Sequence, residues 1–177
     1  MADALFVTYQ ALLFVHVLSA FLFMFAHGAS ATVMFRLKKE REAARARALL
    51  ELSESVSKWM TATSTLMFFS GVVLGIVLHA LFADWLWKNY WFWTALVLLI
   101  VISVPMTFLG RVYFERVRKV VGLPFVESGK KGKQPAIAAR SEDEIAKVVA
   151  LGRPVELGAF GLVGIGVLLF LMMFKPF

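Results

Sequence analysis

The sequence contains no cysteine. That excludes disulfides, thiolate metal sites, iron–sulfur clusters and cysteine-attached c-type haem together. Charge is missing from a second place. No Asp, Glu, Lys or Arg lies deep within any of the long apolar runs. Ion pumps and proton carriers rely on buried carboxylates, so their absence counts against a small transporter or metal-import protein. Histidine is scarce, with three residues in all. The basic residues form no recognisable nucleic-acid-binding pattern, which leaves nucleic acid out as a partner.

What is present is apolar. Of 177 residues, 60% are hydrophobic, and mean hydropathy is +0.76. Soluble domains are nearer half apolar. The excess is gathered in four stretches, at about residues 4–35, 59–83, 90–109 and 154–174. Each reaches the roughly 20 residues that a membrane span needs. The first is longer than the hydrocarbon requires and is expected to tilt or protrude. Ala29-Ser30-Ala31 has the look of a signal-peptidase site. The start Met1-Ala2-Asp3 lacks a positive n-region and the apolar run is too long, so a span is expected there.

Orientation follows from the cations. Seven Lys and Arg lie between Arg36 and Lys58, and ten between Arg111 and Arg153. Only Lys88 and Lys175 fall elsewhere. The two basic connections are therefore expected in the cytoplasm, and both termini outside. Trp85, Trp87, Tyr90, Trp91 and Trp93 then fall at the outer interface, the depth that aromatic rings with a polar edge prefer. The fold class expected is all-α: one four-helix integral membrane bundle over residues 1–177, N-out and C-out, in the cytoplasmic membrane. Helical extensions on the cytoplasmic side complete it. The Ala-, Leu-, Glu- and Arg-rich run Leu37 to Ser57 favours helix and reads as a continuation of the first span. Ser141 with Glu144 forms a capping box that predicts a short helix from Glu142 to about Leu151. The basic segments are explained by topology alone; their functional reading is contact with anionic lipid headgroups or an acidic partner.

All three histidines, His16, His27 and His79, lie in spans. His16 falls in the outer half of the first span and His79 near the outer end of the second. The two are expected to face each other across one layer, as axial ligands of a b-type haem. Gly75, one turn before His79, and Ser19 and Ala20, one turn after His16, are small enough to admit a porphyrin. A six-coordinate haem favours electron transfer. The partners expected are the lipid bilayer, a quinone at the aromatic layer or another redox partner, and a larger membrane complex or a second copy. His27 shares a face with His16 about 16 Å along the axis and is a candidate for a second site. The competing reading is a haem-free structural subunit of a larger complex. Gly71-Val-Val-Leu-Gly75 and the fourth span's Gly158, Gly161, Gly164 and Gly166 support close packing.

Leu12-Leu13-Phe14-Val15-His16-Val17-Leu18-Ser19-Ala20-Phe21-Leu22-Phe23, in a helix ending at Arg36, resembles the first helix of the copper-resistance-D-like superfamily, which includes the HemJ-type protoporphyrinogen oxidases. Trp87 to Leu96 looks like the aromatic entry to that group's third helix. The resemblance implies a compact helical bundle and, by the HemJ branch, b-type haem bound through His16. It does not carry enzyme activity across, because Ala26-His27-Gly28-Ala29-Ser30 stands where that branch has a basic, proline-containing motif.

Overall fold

The computed structural model describes residues 2–82, 84–127 and 129–176, with the side chains of Ala2 and Trp85 set aside. Ala83, the expected end of the second span, lies outside the described residues, as does the Trp85 ring expected at the interface. The elements in chain order are α1 (Ala2–Leu37), α2 (Ala43–Leu81), α3 (Trp85–Lys88), α4 (Tyr90–Val120), β1 (Phe125–Val126), β2 (Lys133–Gln134), α5 (Glu142–Ala150) and α6 (Pro154–Phe174). Among the described residues, four helical stretches are long and apolar enough to cross a membrane. The chain is a predominantly helical, multi-pass membrane protein.

Two compact units divide the chain. The apolar unit holds Met1–His27, Ser57–Ile102 and Leu162–Phe177. The charged unit holds Gly28–Val56 and Ser103–Gly161.

In the apolar unit the usual inside–outside pattern of a soluble protein is reversed. Most buried positions are small or modest side chains, among them Ser19, Ala26, Ser70, Ala95 and Leu171, with Trp91 the large exception. The bulky rings of Phe6, Phe14, Phe21 and Phe25 point outward, Phe25 being 81% exposed. Lipid is as apolar as leucine, so large side chains gain little by turning inward, and small ones let helices approach closely. Hydroxyls are bonded to their own helix. Thr8 donates to Ala4 O, Thr61 to Ser57 O and Thr63 to Trp59 O. With no water in the hydrocarbon, this satisfies these hydroxyls internally.

The charged unit has a conventional core. Leu37, Leu50, Val117, Val121, Ile145 and Val149 are almost fully buried and pack with Met34, Ala46 and Tyr113. Here the expectation for the first basic segment is corrected. α1 stops at Leu37, and the chain reverses through Lys38–Glu42, so the Ala- and Arg-rich run opens α2. Two forces fix the reversal. Burial of Leu37 ends α1 in the core, and Glu40 Oε1 accepts from the Arg41 and Glu42 amides ahead of α2. The α5 expectation agrees with the structure, with Ser141 Oγ accepting from Glu144 N.

The stretch after α4 contains a short antiparallel hairpin, Phe125 opposite Gln134 and Val126 opposite Lys133. Gly122 ends α4 at φ 78°. A Cβ there would lie 2.8 Å from Ile137 O and 3.1 Å from Ala139 N, so glycine meets both the turn's conformation and the close passage of residues 137–139.

Candidate functional site

The three histidines lie in the parts of α1 and α2 that belong to the apolar unit. His16 Nδ1 lies 2.9 Å from Met67 O and 3.2 Å from Ser70 Oγ. A carbonyl only accepts, so Nδ1 is the protonated nitrogen and Nε2 carries the lone pair. Ser70 Oγ also donates to Met67 O at 3.1 Å. The imidazole lies against Gly71, where a Cβ would stand 2.9 Å from His16 Cε1. Ser19 is buried at 1% exposure, and its hydroxyl donates to His16 O at 2.9 Å. Ala20 is half-buried.

One turn beyond Gly71, Gly75 receives a different ring. A Cβ on Gly75 would lie 2.7 Å from Phe92 Cζ and 3.4 Å from Leu86 Cδ2. The GxxxG pair on α2 is thus two sockets, one for the imidazole of α1 and one for the phenyl ring of α4. Sequence reasoning singled out both glycines but not their occupants. Met67 acts through its backbone and Ser70 through a common residue type, so neither carries a sequence signal. Phe92 lies within an aromatic run that reads as interfacial.

His79 stands in the last turn of α2, half-buried. Its Nδ1 is buried and has no hydrogen-bond partner among the described residues. His27 is half-buried and stacks on Phe23, ring centroids 5.7 Å apart. Around the link between α2 and α4, Trp91 Nε1 donates to Asn89 Oδ1, and Trp93 Nε1 donates to Leu86 O at 2.8 Å. Lys175 Nζ sits 5.6 Å from the Trp91 ring centre.

The structure therefore does not bring His16 and His79 into one layer. The His16 ring rests beside Met67 to Gly71, eight to twelve residues before His79 on α2, or about 12–18 Å along the axis. Imidazole binds a metal at about 2 Å, so two on one iron need nitrogens roughly 4 Å apart. A side chain leaning back along its helix closes only part of the difference. The space expected for a porphyrin at Gly75 is filled by Phe92, and Ser19 is enclosed. In this packing the residues do not fit a haem shared by His16 and His79. Among the described residues, no group of three or more His, Cys, Asp or Glu is placed to hold a metal ion.

Compared with known proteins, the chain matches no family model, no curated protein and no solved structure.

Proposed function

We propose that this chain is a haem-free structural subunit of a larger complex in the cytoplasmic membrane, both termini outside and both basic connections inside. The bond from His16 Nδ1 to Met67 O carries the reading. The imidazole best placed for chemistry is used to fasten two helices. The hydroxyls of Thr8, Ser19, Thr63 and Ser70 are likewise turned back onto their own helices' backbones. The distribution of seventeen of nineteen cations into two alternate connections supports the orientation.

Open glycines support the subunit role. A Cβ at Gly28, Gly110 or Gly166 would meet nothing within 4 Å. Such flat positions on apolar helices suit the approach of another helix. The test is the native size of the protein extracted in mild detergent, for the wild type and for Gly28→Leu and Gly166→Leu. The expected result is a wild-type assembly larger than one chain, with the leucine variants released from it at unchanged melting temperature. A wild type that runs as a single chain overturns the reading.

A second reading is kept by one observation, the buried Nδ1 of His79, which has no partner among the described residues. An orphaned buried nitrogen costs about 1–3 kcal/mol and invites a ligand on the ring. In this reading the protein is a b-type haem protein in electron transfer, in line with the resemblance of α1 to the copper-resistance-D-like superfamily, and His79 is the candidate ligand. Visible spectra of the purified protein, oxidised and dithionite-reduced, separate the two. A Soret band lost in His79→Ala establishes the haem reading, and a featureless spectrum after expression with ample haem removes it.

A further inference from the structure

Arg36, Arg111 and Arg153 belong to the charged unit, and each stands where an exposed apolar surface gives way to charge. Phe35 precedes Arg36, Leu109 lies two residues before Arg111, and Val155 two residues after Arg153. These three neighbours are 43%, 49% and 63% exposed. Packing places the three arginines at one level. The Phe35 ring lies 4.0 Å from where a Gly158 Cβ would stand, and Tyr113 Oη 2.8 Å from the Gly152 equivalent. Pro154 to Gly158, the start of α6, spans about 6 Å at helical rise, and Gly152 and Arg153 lie just before it.

All three are exposed, and none has an ion-pair partner among the described residues. Four other arginines of the unit are engaged, while Arg41 and Arg116, away from the apolar boundary, also make no ion pair among the described residues. Arg118 holds Glu54, Arg45 holds Glu42, Arg140 reaches Glu144, and Arg47 donates to Val121 O. Glu156 is the nearby carboxylate in sequence, in the first turn of α6. It makes no pair with Arg153, and an acidic side chain there complements the helix dipole. The guanidinium fork matches the oxygens of a phosphate, which a lysine meets only as a point charge.

We infer that Arg36, Arg111 and Arg153 form a phosphodiester-binding layer that takes the headgroups of anionic phospholipids at the edge of the bilayer. The apolar residue beside each arginine sets the depth, and the free guanidinium supplies the recognition. Inorganic phosphate shares the chemistry but not the acyl chains, which Phe35, Leu109 and Val155 are placed to meet.

Native mass spectrometry of the delipidated, detergent-solubilised full chain tests this. Phosphatidylglycerol and phosphatidylcholine are titrated separately onto the wild type and onto the variant carrying Arg36→Gln, Arg111→Gln and Arg153→Gln. Fourteen of the seventeen cations in the two basic connections remain, so the orientation bias is kept. The expected result is phosphatidylglycerol adducts on the wild type that resist millimolar inorganic phosphate. Each arginine removed weakens them about fivefold. The three single substitutions give the same reading if the triple variant does not accumulate. A control carries Arg41→Gln, Lys131→Gln and Lys147→Gln, which removes equal charge elsewhere, and is expected to bind as the wild type does. Equal adducts on wild type and arginine variants overturn the inference. So does equal loss in the control, which would mean general charge attraction, or displacement by inorganic phosphate, which would mean a soluble anion site.

Discussion

His16 Nδ1 on α1 lies 2.9 Å from the carbonyl oxygen of Met67 on α2. One helix's side chain thus spans to the other's backbone within an apolar surround. Hydrogen bonds between membrane helices contribute about 0.6–2 kcal/mol, and the ring adds contact with Gly71. His16→Phe keeps a ring over the glycine and loses the bond, so a loss of about 1 kcal/mol is expected. His16→Ala loses both and opens a void, with an expected loss of about 2–3 kcal/mol. Thermal melts in detergent order the two. If alanine is no worse than phenylalanine, the ring-in-socket account is wrong.

The glycines of the chain separate into filled and open positions. A Cβ at Gly71 would approach His16 Cε1 to 2.9 Å, and one at Gly75 would approach Phe92 Cζ to 2.7 Å. Both distances are too short to keep without movement, so Gly71→Ala and Gly75→Ala are each expected to destabilise by about 1–3 kcal/mol. Gly28→Ala meets open space and is expected to be neutral or stabilising by up to about 1 kcal/mol, through helix propensity. Replacing Phe92 with leucine alongside Gly75→Ala is expected to recover part of the loss. Melting temperatures of the four variants check the ordering.

Much of this architecture was legible because membrane physics writes itself in long runs. Four apolar stretches and the capped helix at Ser141 follow from local pattern. The reversal at Lys38–Glu42 was not, because Leu37 to Ser57 favours helix throughout and only burial of Leu37 in a non-local core decides where α1 stops. The hairpin was hidden for a related reason. Its strands are two residues long and are held by side chains distant in sequence, Glu54 and Glu115 among them. Depth arguments placed His16 and His79 in one layer by counting from span ends, yet the ends themselves shift by turns when helices outrun the bilayer, as α1 and α2 do. The packing partner of His16 is a backbone carbonyl, and no residue type announces that.

Glu127 answers to two cations, Lys119 Nζ at 2.7 Å and Lys130 Nζ at 2.6 Å. Their hydrogen bonds, Lys119 first, with the charge behind them, hold the carboxyl down at about 2, against an ordinary value of 4.5. A depressed carboxyl favours the folded state above its unfolded value. That contribution is whole above about pH 4.5 and is lost as pH falls toward 2. Carbon-13 titration of the labelled carboxyl is expected to show the low midpoint, and Lys119→Met to raise it toward the ordinary value. An unmoved midpoint in that variant would remove Lys119 as the cause.

Arg118 and Glu54 form an unequal pair. The Arg118 side chain is 10% exposed and that of Glu54 is 42%. The guanidinium also donates through Nε to Pro124 O at 2.8 Å, tying the turn after α4 to the helix. Burial works to raise the Glu54 carboxyl, and the charges and hydrogen bonds of Arg118 and Lys133 outweigh it, holding it below its ordinary value. Arg118→Ala removes both attachments and the packing of a buried stem, so a loss of about 2–3 kcal/mol is expected. Glu54→Gln keeps an acceptor oxygen near the guanidinium and leaves the Pro124 bond, so a loss under about 1 kcal/mol is expected, reduced by water at the exposed carboxyl. The double variant should cost little more than Arg118→Ala alone, because the two changes delete one shared interaction. Simple additivity in the melts would show that the Arg118 contribution comes from its stem and the Pro124 bond, with nothing from the ion pair.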